Sequence, residues 1–175
     1  MEEYIEEEMQ IMEERDTKPK TIDNELFQAP IHILCERPVE SLPENATIGQ
    51  AVRLMQEKKI GAIPIVENKK LVGIVSERDI LMKVVGKMAN FEGEPIEKIM
   101  TPKPSWLMKE DPICFAMNKM HMGGYRHVPI VNENMEPEHI ISLRDVLGFI
   151  LDHFPEDVLN MPPEPPRGEI PLDGG

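Results

Sequence analysis

Residues 61–79 read Gly-Ala-Ile-Pro-Ile-Val-Glu-Asn-Lys-Lys-Leu-Val-Gly-Ile-Val-Ser-Glu-Arg-Asp, and residues 126–145 repeat the same pattern in the second half of the chain. Pro64 corresponds to Pro129 at an offset of 65 residues, and Asp79 corresponds to Asp145 at an offset of 66. The turn in the second copy is therefore one residue longer. Each copy predicts a strand, a turn, a second strand and then an abrupt switch into a helix.

Two further helix starts lie upstream of these copies, one in each half of the chain. Thr47-Ile-Gly-Gln50 is a capping-box pattern, and Asp111-Pro112 places an N-cap residue before a proline at the first helical position. The apolar residues that follow each of them recur at helical spacing. The other expected elements are strands over 39–42, 62–66, 71–75, 105–108, 128–131 and 139–141 and helices over 77–87 and 143–153.

Each half thus predicts the order strand, helix, strand, strand, helix, starting near Ile31 in the first half and near its counterpart Ile96 in the second. A half of this size is marginally stable alone, so two halves gain stability by burying their sheet faces against each other. We expect an α/β (α+β) fold of two pseudo-symmetric units packed sheet to sheet. The expected segments are an acidic N-terminal arm (1–29), a first unit (30–92), a second unit (93–154) and a Pro-rich acidic tail (155–175).

The net charge of −13 is concentrated in the two ends of the chain. Residues 1–29 carry ten acids and three bases, residues 155–175 carry five acids and one base, and the middle has seventeen acids and fifteen bases. Without clustered Lys and Arg, duplex DNA or RNA is not an expected partner. The chain has no apolar run near the ~20 residues of a membrane helix, and its acidic start is unlike a signal peptide, so we expect a cytoplasmic protein without a membrane partner.

Residues with the chemistry to bind a ligand stand at the two strand-to-helix switches, Ser76-Glu-Arg-Asp79 and Ser142-Leu-Arg-Asp145. A serine hydroxyl there can bond a phosphate or sugar oxygen, an arginine can pair with a phosphate, and a carboxylate can accept from two ribose hydroxyls. This combination suits a nucleotide. The alternative is that Ser-x-x-Asp is an ordinary helix cap in both copies.

The paired Gly-x-x-Pro-Ile-Val and Gly-Ile-Val-Ser-x-Arg-Asp motifs resemble the CBS domain, named for cystathionine β-synthase. A tandem pair, here over about 30–154, resembles a Bateman module, and Met100-Thr101-Pro102, which opens the second unit, is also typical of it. The second copy departs from the pattern, since His139 replaces the glycine before Ile-Ile-Ser. The resemblance implies two unequal clefts between the units, each binding an adenine nucleotide.

The resemblance also implies a role for individual residues in those clefts. Asp79 and Asp145 would bind ribose, and the basic and hydroxyl residues around them would bind phosphate and sugar. The implied phosphate and sugar set is Ser76, Arg78, Ser142, Arg144, Arg126 and His127. The implied adenine pocket is Ile60, Gly61, Ala62, Tyr125 and Thr101.

These observations together predict a non-catalytic regulatory module that binds AMP, ADP or ATP and requires no other cofactor. The chain has no HExxH, nucleophile-elbow or Walker motif, and Cys35 and Cys114 have no metal-type spacing, so neither catalytic nor metal-binding residues are expected. The alternative is a ligand-free interaction module, a homodimer formed through apolar residues of the helices over 77–87 and 143–153. An effector protein is a further expected partner, and its identity cannot be read from the chain.

Overall fold

The structure, a computed structural model, describes residues 24–153 of the chain. Most of the acidic arm and the Pro-rich tail lie outside the described residues. The helices and strands are, in chain order, α1 (Asn24–Gln28), β1 (Leu42–Pro43), α2 (Ile48–Lys58), β2 (Ala62–Glu67), β3 (Lys70–Ser76), α3 (Glu77–Asp79), β4 (Thr101–Pro102), α4 (Ile113–Gly123), β5 (His127–Val131), β6 (Pro137–Ser142) and α5 (Leu143–His153). A π-helical turn (Ile80–Val84) continues α3, and short 3-10 helices cover Ile31–Leu34 and Ile96–Lys98.

The strands form a four-stranded sheet in the order β1-β2-β3-β4 and a two-stranded sheet, β5-β6. Asn68 and Lys69, both with positive φ, form a two-residue turn between β2 and β3, the kind of turn that matches the twist of an antiparallel hairpin. The parallel pairing of Leu42 with Ile65 recurs as a single parallel bridge between Leu107 and Ile130, 65 residues further on in both partners. The α+β fold of two pseudo-symmetric units is confirmed.

Each repeat completes its hydrophobic core with residues that precede the other repeat. Ile96 and Ile99 are fully buried in the core formed by α2, β2 and β3, whereas Ile31 is fully buried in the core of α4, β5 and β6. The backbone contacts are reciprocal, because the Ile31 N–H donates to Asp111 O at 2.9 Å and the Ile96 N–H donates to Ala46 O at 2.9 Å. Separating the two units would therefore expose apolar surface in both.

Of the two helix caps predicted at the starts of α2 and α4, one is confirmed and the other is wrong. At α2 the capping box is confirmed, since the Thr47 N–H donates to Gln50 Oε1 (2.8 Å) and the Gln50 N–H donates to Thr47 Oγ1 (3.3 Å). At α4 the predicted cap is wrong by one residue. Pro112 has an extended backbone and is itself the N-cap, and Asp111 instead accepts a hydrogen bond from the Met108 N–H (2.7 Å).

Three other predicted boundaries are corrected by the structure. The helix after Ser76 ends at Val84 rather than near residue 87, because Val85 is extended and its N–H donates to Ile80 O in a π-helical turn. The strand predicted over 39–42 lies at Leu42–Pro43. The strand predicted over 105–108 is reduced to the bridge at Leu107.

Candidate functional site

A cleft of about 310 Å³ lies between the two units, close to the strand-to-helix switch of the first repeat. The first unit contributes the end of β3 and the start of α3, and the second contributes the segment between α4 and β5. The loop after β4 closes one side. The lining residues are Gly61, Ile74, Ser76, Glu77, Arg78, Asp79, Thr101, Pro104, Ser105, Gly123, Gly124, Tyr125, Arg126 and His127.

Asp79 is held in this cleft by a capping box and an ion pair. Its Oδ2 accepts hydrogen bonds from the Ser76 N–H (2.9 Å) and from Ser76 Oγ (2.7 Å), and its Oδ1 lies 2.7 Å from Lys83 Nζ. Only 14% of the Asp79 side chain is exposed. The two bonds from Ser76 fix the orientation of the carboxylate, which preorganises it to accept hydrogen bonds from a ligand hydroxyl.

Arg78 spans the cleft from one unit to the other. Its Nη1 donates to Gly124 O at 2.8 Å, across a separation of 46 residues in the sequence. Gly124 has a positive φ of 65° directly after α4, a conformation that glycine adopts readily. The guanidinium of Arg78 therefore ties α3 to the turn that precedes β5.

Tyr125 lies half-buried over Gly123, at the second-unit wall of the cleft. A Cβ added at Gly123 would lie 2.0 Å from the Tyr125 ring, so the ring can occupy this position only because residue 123 is glycine. Tyr125 also packs against the core of the second unit. The cleft thus has an aromatic wall that is fixed by packing.

His127 lies against Gly61 at the point where the two repeats meet. A Cβ on Gly61 would lie 3.0 Å from His127 Nε2 and 3.4 Å from a carboxylate oxygen of Glu77. Burial and the neighbouring charge of Arg126 lower the pKa of His127, while Glu77 and Asp145 act in the opposite direction. The imidazole is therefore uncharged at neutral pH.

The switch of the second repeat has the same cap but different surroundings. Asp145 Oδ2 accepts from the Ser142 N–H (2.7 Å) and from Ser142 Oγ (2.8 Å), as Asp79 does with Ser76. Asp145 and Arg144 are both exposed, and neither they nor Ser142 lines the cleft. The structure thus places the residues of the first switch in the cleft and those of the second switch outside it.

Eight of the residues predicted from sequence are brought together in the cleft, and the other five lie elsewhere. Those in the cleft are Gly61, Ser76, Arg78, Asp79, Thr101, Tyr125, Arg126 and His127. Ala62 is buried, with 2% of its surface exposed, and Ile60 packs against the core of the first unit. Ser142, Arg144 and Asp145 form the second switch described above.

Several lining residues were not predicted. Glu77 lies inside the Ser76–Asp79 motif. Its position between the predicted site residues Ser76 and Arg78 could have indicated that it also lines the cleft. Gly123 and Gly124 precede Tyr125 directly. Pro104 and Ser105 had no motif to mark them, because they enter the cleft through the packing of the loop after β4.

The described residues contain neither a metal-binding cluster nor a membrane-spanning helix. Within residues 24–153, no group of three His, Cys, Asp or Glu side chains is arranged to hold a metal ion. None of the helices in this part of the chain has the length and apolarity needed to cross a membrane.

Comparison with known proteins identifies the family. The family model of the CBS domain matches residues 32–86 and 96–152, and the chain therefore belongs to the CBS domain family. The CBS domain-containing protein CBSCBSPB5 of Arabidopsis thaliana is 34% identical over 113 residues, which are 64% of this chain and 20% of that protein. The match thus spans about a fifth of the length of this curated relative.

Solved structures share the fold over nearly their whole length. A CBS domain protein from Pyrobaculum aerophilum, complexed with AMP, has a TM-score of 0.65 and 31% sequence identity, over 71% of this chain and 97% of that one. A CBS-domain containing protein from Agrobacterium tumefaciens has a TM-score of 0.62 and 27% identity, over 69% of this chain and 98% of that one. These comparisons agree with the arrangement of two paired repeats.

Proposed function

We propose that the chain is a regulatory module that binds an adenine nucleotide in the cleft beside Asp79. The observation that carries this proposal is the meeting of Ser76 and Asp79 from one repeat with Tyr125 and Arg126 from the other in a single cleft. Its volume of about 310 Å³ is at the lower end of the range of about 300–1,000 Å³ for small-molecule pockets. A ligand held there would contact both units.

The contacts of Asp79 leave room for a sugar hydroxyl. Oδ2 already accepts two hydrogen bonds from Ser76, whereas Oδ1 is bonded by Lys83 alone and retains acceptor capacity. Ribose hydroxyls would bond to Oδ1, either beside the Lys83 ammonium or in its place. Charge-assisted bonds of this kind are among the stronger hydrogen bonds in proteins.

Base and phosphate have complementary surfaces in the same cleft. The Tyr125 ring and the side chain of Ile74 offer apolar walls for a purine. Arg126 is exposed and has no ion-pair partner within residues 24–153, so its guanidinium can pair with a phosphate. The AMP complex of the Pyrobaculum aerophilum protein, 31% identical, supports an adenine nucleotide as the ligand class.

Binding would act by cross-linking the two units. Arg78 already joins them through Gly124, and a ligand that bonds both Asp79 and Arg126 would stabilise the same arrangement further. A ligand shifts an equilibrium only through its different affinity for two states, so the regulated change is one in which this cleft opens or closes. The protein that responds to it is proposed to be a separate effector.

Isothermal titration calorimetry of the 175-residue chain with AMP, ADP and ATP tests the proposal. We expect saturable heat with at least one nucleotide and a rise in Tm at the same concentrations. Neither heat nor a Tm shift at millimolar ligand would contradict it. A stoichiometry of two would agree with a second ligand at the Asp145 switch, where Ser142 and Arg144 remain predicted ligand residues.

A second candidate function, homodimerisation, has an observation of its own. Apolar side chains remain exposed on the π-helical turn and on α5, among them Leu81 (63%), Leu147 (51%) and Leu151 (45%). Exposed apolar surface of this kind is a common mark of protein interfaces. Light scattering tests it: a mass near 40 kDa, twice the 20.0 kDa of one chain, is expected, and a monomer would contradict it. A Leu81→Ser, Leu147→Ser variant would shift a dimer towards monomer.

A further inference from the structure

The fixed charges that line the cleft cancel. Arg78 and Arg126 are positive, Glu77 and Asp79 are negative, and His127 is uncharged at neutral pH. Two lysines contact lining residues from outside: Lys83 is paired with Asp79, and Lys119 Nζ donates to Ser105 Oγ at 2.9 Å. An anionic ligand therefore enters a site with no net positive charge, in contrast to sites that hold polyphosphates with several cations or a metal ion.

Of the two arginines that line the cleft, Arg78 already makes a hydrogen bond within the protein. Arg78 donates to Gly124 O at 2.8 Å, and it would have to give up or share this bond to reach a phosphate. Arg126 is exposed and has no such contact among the described residues. One arginine is thus available to a phosphate without a loss elsewhere, enough for bidentate pairing with a single phosphoryl group.

Glu77 places a negative charge beside the same region. Its Oε2 lies 3.4 Å from the Cβ position of Gly61, on which the His127 ring packs, and its backbone N–H donates to Gly61 O at 3.0 Å. No cation within residues 24–153 pairs with the Glu77 carboxylate. The second repeat has Leu143 at the corresponding position, so the charge is not required by the cap.

We propose that Glu77 is a specificity-determining residue that restricts the cleft to adenosine ligands with one phosphate or none. This inference rests on the proposed function. A monophosphate carries a charge of about −1.5 to −2 at pH 7, of which the single positive charge of Arg126 offsets about half or more. Each additional phosphoryl group brings further negative charge towards Glu77, while the other arginine of the lining, Arg78, is bonded to Gly124 O, and like charges at short range repel.

The experiment compares AMP and ATP, both as sodium salts without divalent cations, by calorimetry of the full chain and of the Glu77→Gln variant. The wild-type chain is expected to bind AMP at least about tenfold more tightly than ATP. Glu77→Gln removes one charge with little change of shape, and we expect it to strengthen ATP binding by about tenfold while AMP binding changes less. The ratio of the two affinities is the quantity that decides.

Glu133→Gln is the matched control, because it makes the same change of net charge at an exposed turn outside the cleft. It is expected to leave the ratio unchanged. The preference for AMP in the wild-type chain should also shrink as salt is raised, since screening weakens the repulsion. A melting curve of each variant establishes that it is folded before its affinity is compared.

The outcomes separate this inference from the function on which it rests. If ATP binds the wild-type chain as tightly as AMP does, the proposed role of Glu77 is wrong and the nucleotide site stands. The same conclusion follows if the ratio of the AMP and ATP affinities is the same in Glu77→Gln as in the wild-type chain. If neither ligand binds the wild-type chain, the proposed function and this inference both fail. A change of ratio in Glu133→Gln as large as that in Glu77→Gln would show a general charge effect and would also overturn the inference.

Discussion

Asp79 and Asp145 occupy corresponding positions in the two repeats and make the same pair of hydrogen bonds, yet their surroundings differ. Oδ2 of each carboxylate accepts from the backbone and the hydroxyl of the serine three residues earlier. Asp79 is mostly buried, faces the cleft and is paired with Lys83. Asp145 is exposed and does not line it. The cap is thus a shared local structure, and the candidate binding site is a property of the first switch.

One cause of this difference is the residue four positions after each aspartate. Lys83 follows Asp79 by one helical turn and pairs with it, whereas the corresponding residue after Asp145 is Phe149, which packs against the second core. A helical pair at this spacing is close enough for a direct contact. The same repeat therefore yields an ion-paired carboxylate in one unit and, in the other, a carboxylate with no ion pair to any residue of 24–153.

Lys83→Met is expected to lower the stability of the free protein and to enlarge the effect of a ligand. Loss of the ion pair leaves the carboxylate of Asp79 without its cation, and because the Lys83 side chain is 41% exposed the cost should be about 1 kcal/mol. Ribose hydroxyls would then stabilise Oδ1, so AMP should raise Tm by more in the variant than in the wild-type chain. Differential scanning fluorimetry with and without AMP measures both effects.

Lys98→Met provides the comparison, because it removes an exposed ion pair with Glu94 at the same helical spacing but away from the cleft. Its response to AMP should equal that of the wild-type chain. Loss of AMP binding in Lys83→Met would show that the lysine is needed to hold the carboxylate, contrary to this account.

The pH dependence of stability should report on His127. Its pKa in the folded state lies below the ordinary value of 6.5, so between these two values the unfolded chain binds more protons than the folded one. The contribution of uncharged His127 to the free energy of unfolding is therefore fully present above pH 6.5. It is lost as the pH falls towards the pKa of His127 in the folded state. Urea unfolding of the wild-type chain and of His127→Gln, from pH 7.5 downwards, should show a smaller decline in the variant.

His121→Gln is a suitable reference for this measurement, since His121 is exposed on α4 and lies outside the cleft. A steeper loss of stability in His127→Gln than in the wild-type chain as the pH falls would contradict the assignment. The charged groups that face His127 are Arg126, Glu77 and Asp145, and all three remain in the variant.

Much of the fold could be predicted from the sequence because it is encoded locally. The capping box at Thr47 and the strand-to-helix switch at Ser76 follow from neighbouring residues, and the switch recurs at Ser142, 66 residues further on. The exchange of Ile31 and Ile96 between the cores could not be predicted in the same way. It depends on contacts between segments far apart in sequence, and periodicity alone does not decide which core an apolar residue enters.

The candidate site was predictable to a similar extent and for the same reason. Residues inside the repeated motif, such as Asp79 and Arg126, were found because their chemistry and position coincide. The sequence could not show that Asp145 would lie outside the cleft, since its local motif equals that of Asp79. Ser105 enters the cleft by tertiary packing, and no local pattern marks such a residue.

Gly49 provides a test of the packing that joins α2 to the segment before the second repeat. A Cβ at Gly49 would lie 2.7 Å from Glu92 O, a backbone atom that cannot move aside as a side chain can. Gly49→Ala should destabilise the protein by about 1–3 kcal/mol in urea unfolding. Gly148→Ala, on α5 with no atom of the described residues within 4 Å of the added Cβ, should be neutral or stabilising by up to about 1 kcal/mol. Equal effects of the two substitutions would be inconsistent with this close approach.

The most direct test of the account is calorimetry of AMP with Asp79→Asn and Asp145→Asn, two variants that alter the same cap in the two repeats. The account predicts that Asp79→Asn weakens AMP binding at the cleft by about tenfold or more, because a charge-assisted hydrogen bond contributes about 1.5–3 kcal/mol. It predicts that Asp145→Asn leaves the affinity of this cleft within about twofold of the wild-type value. Equal losses in the two variants, or unchanged binding in Asp79→Asn, would contradict it.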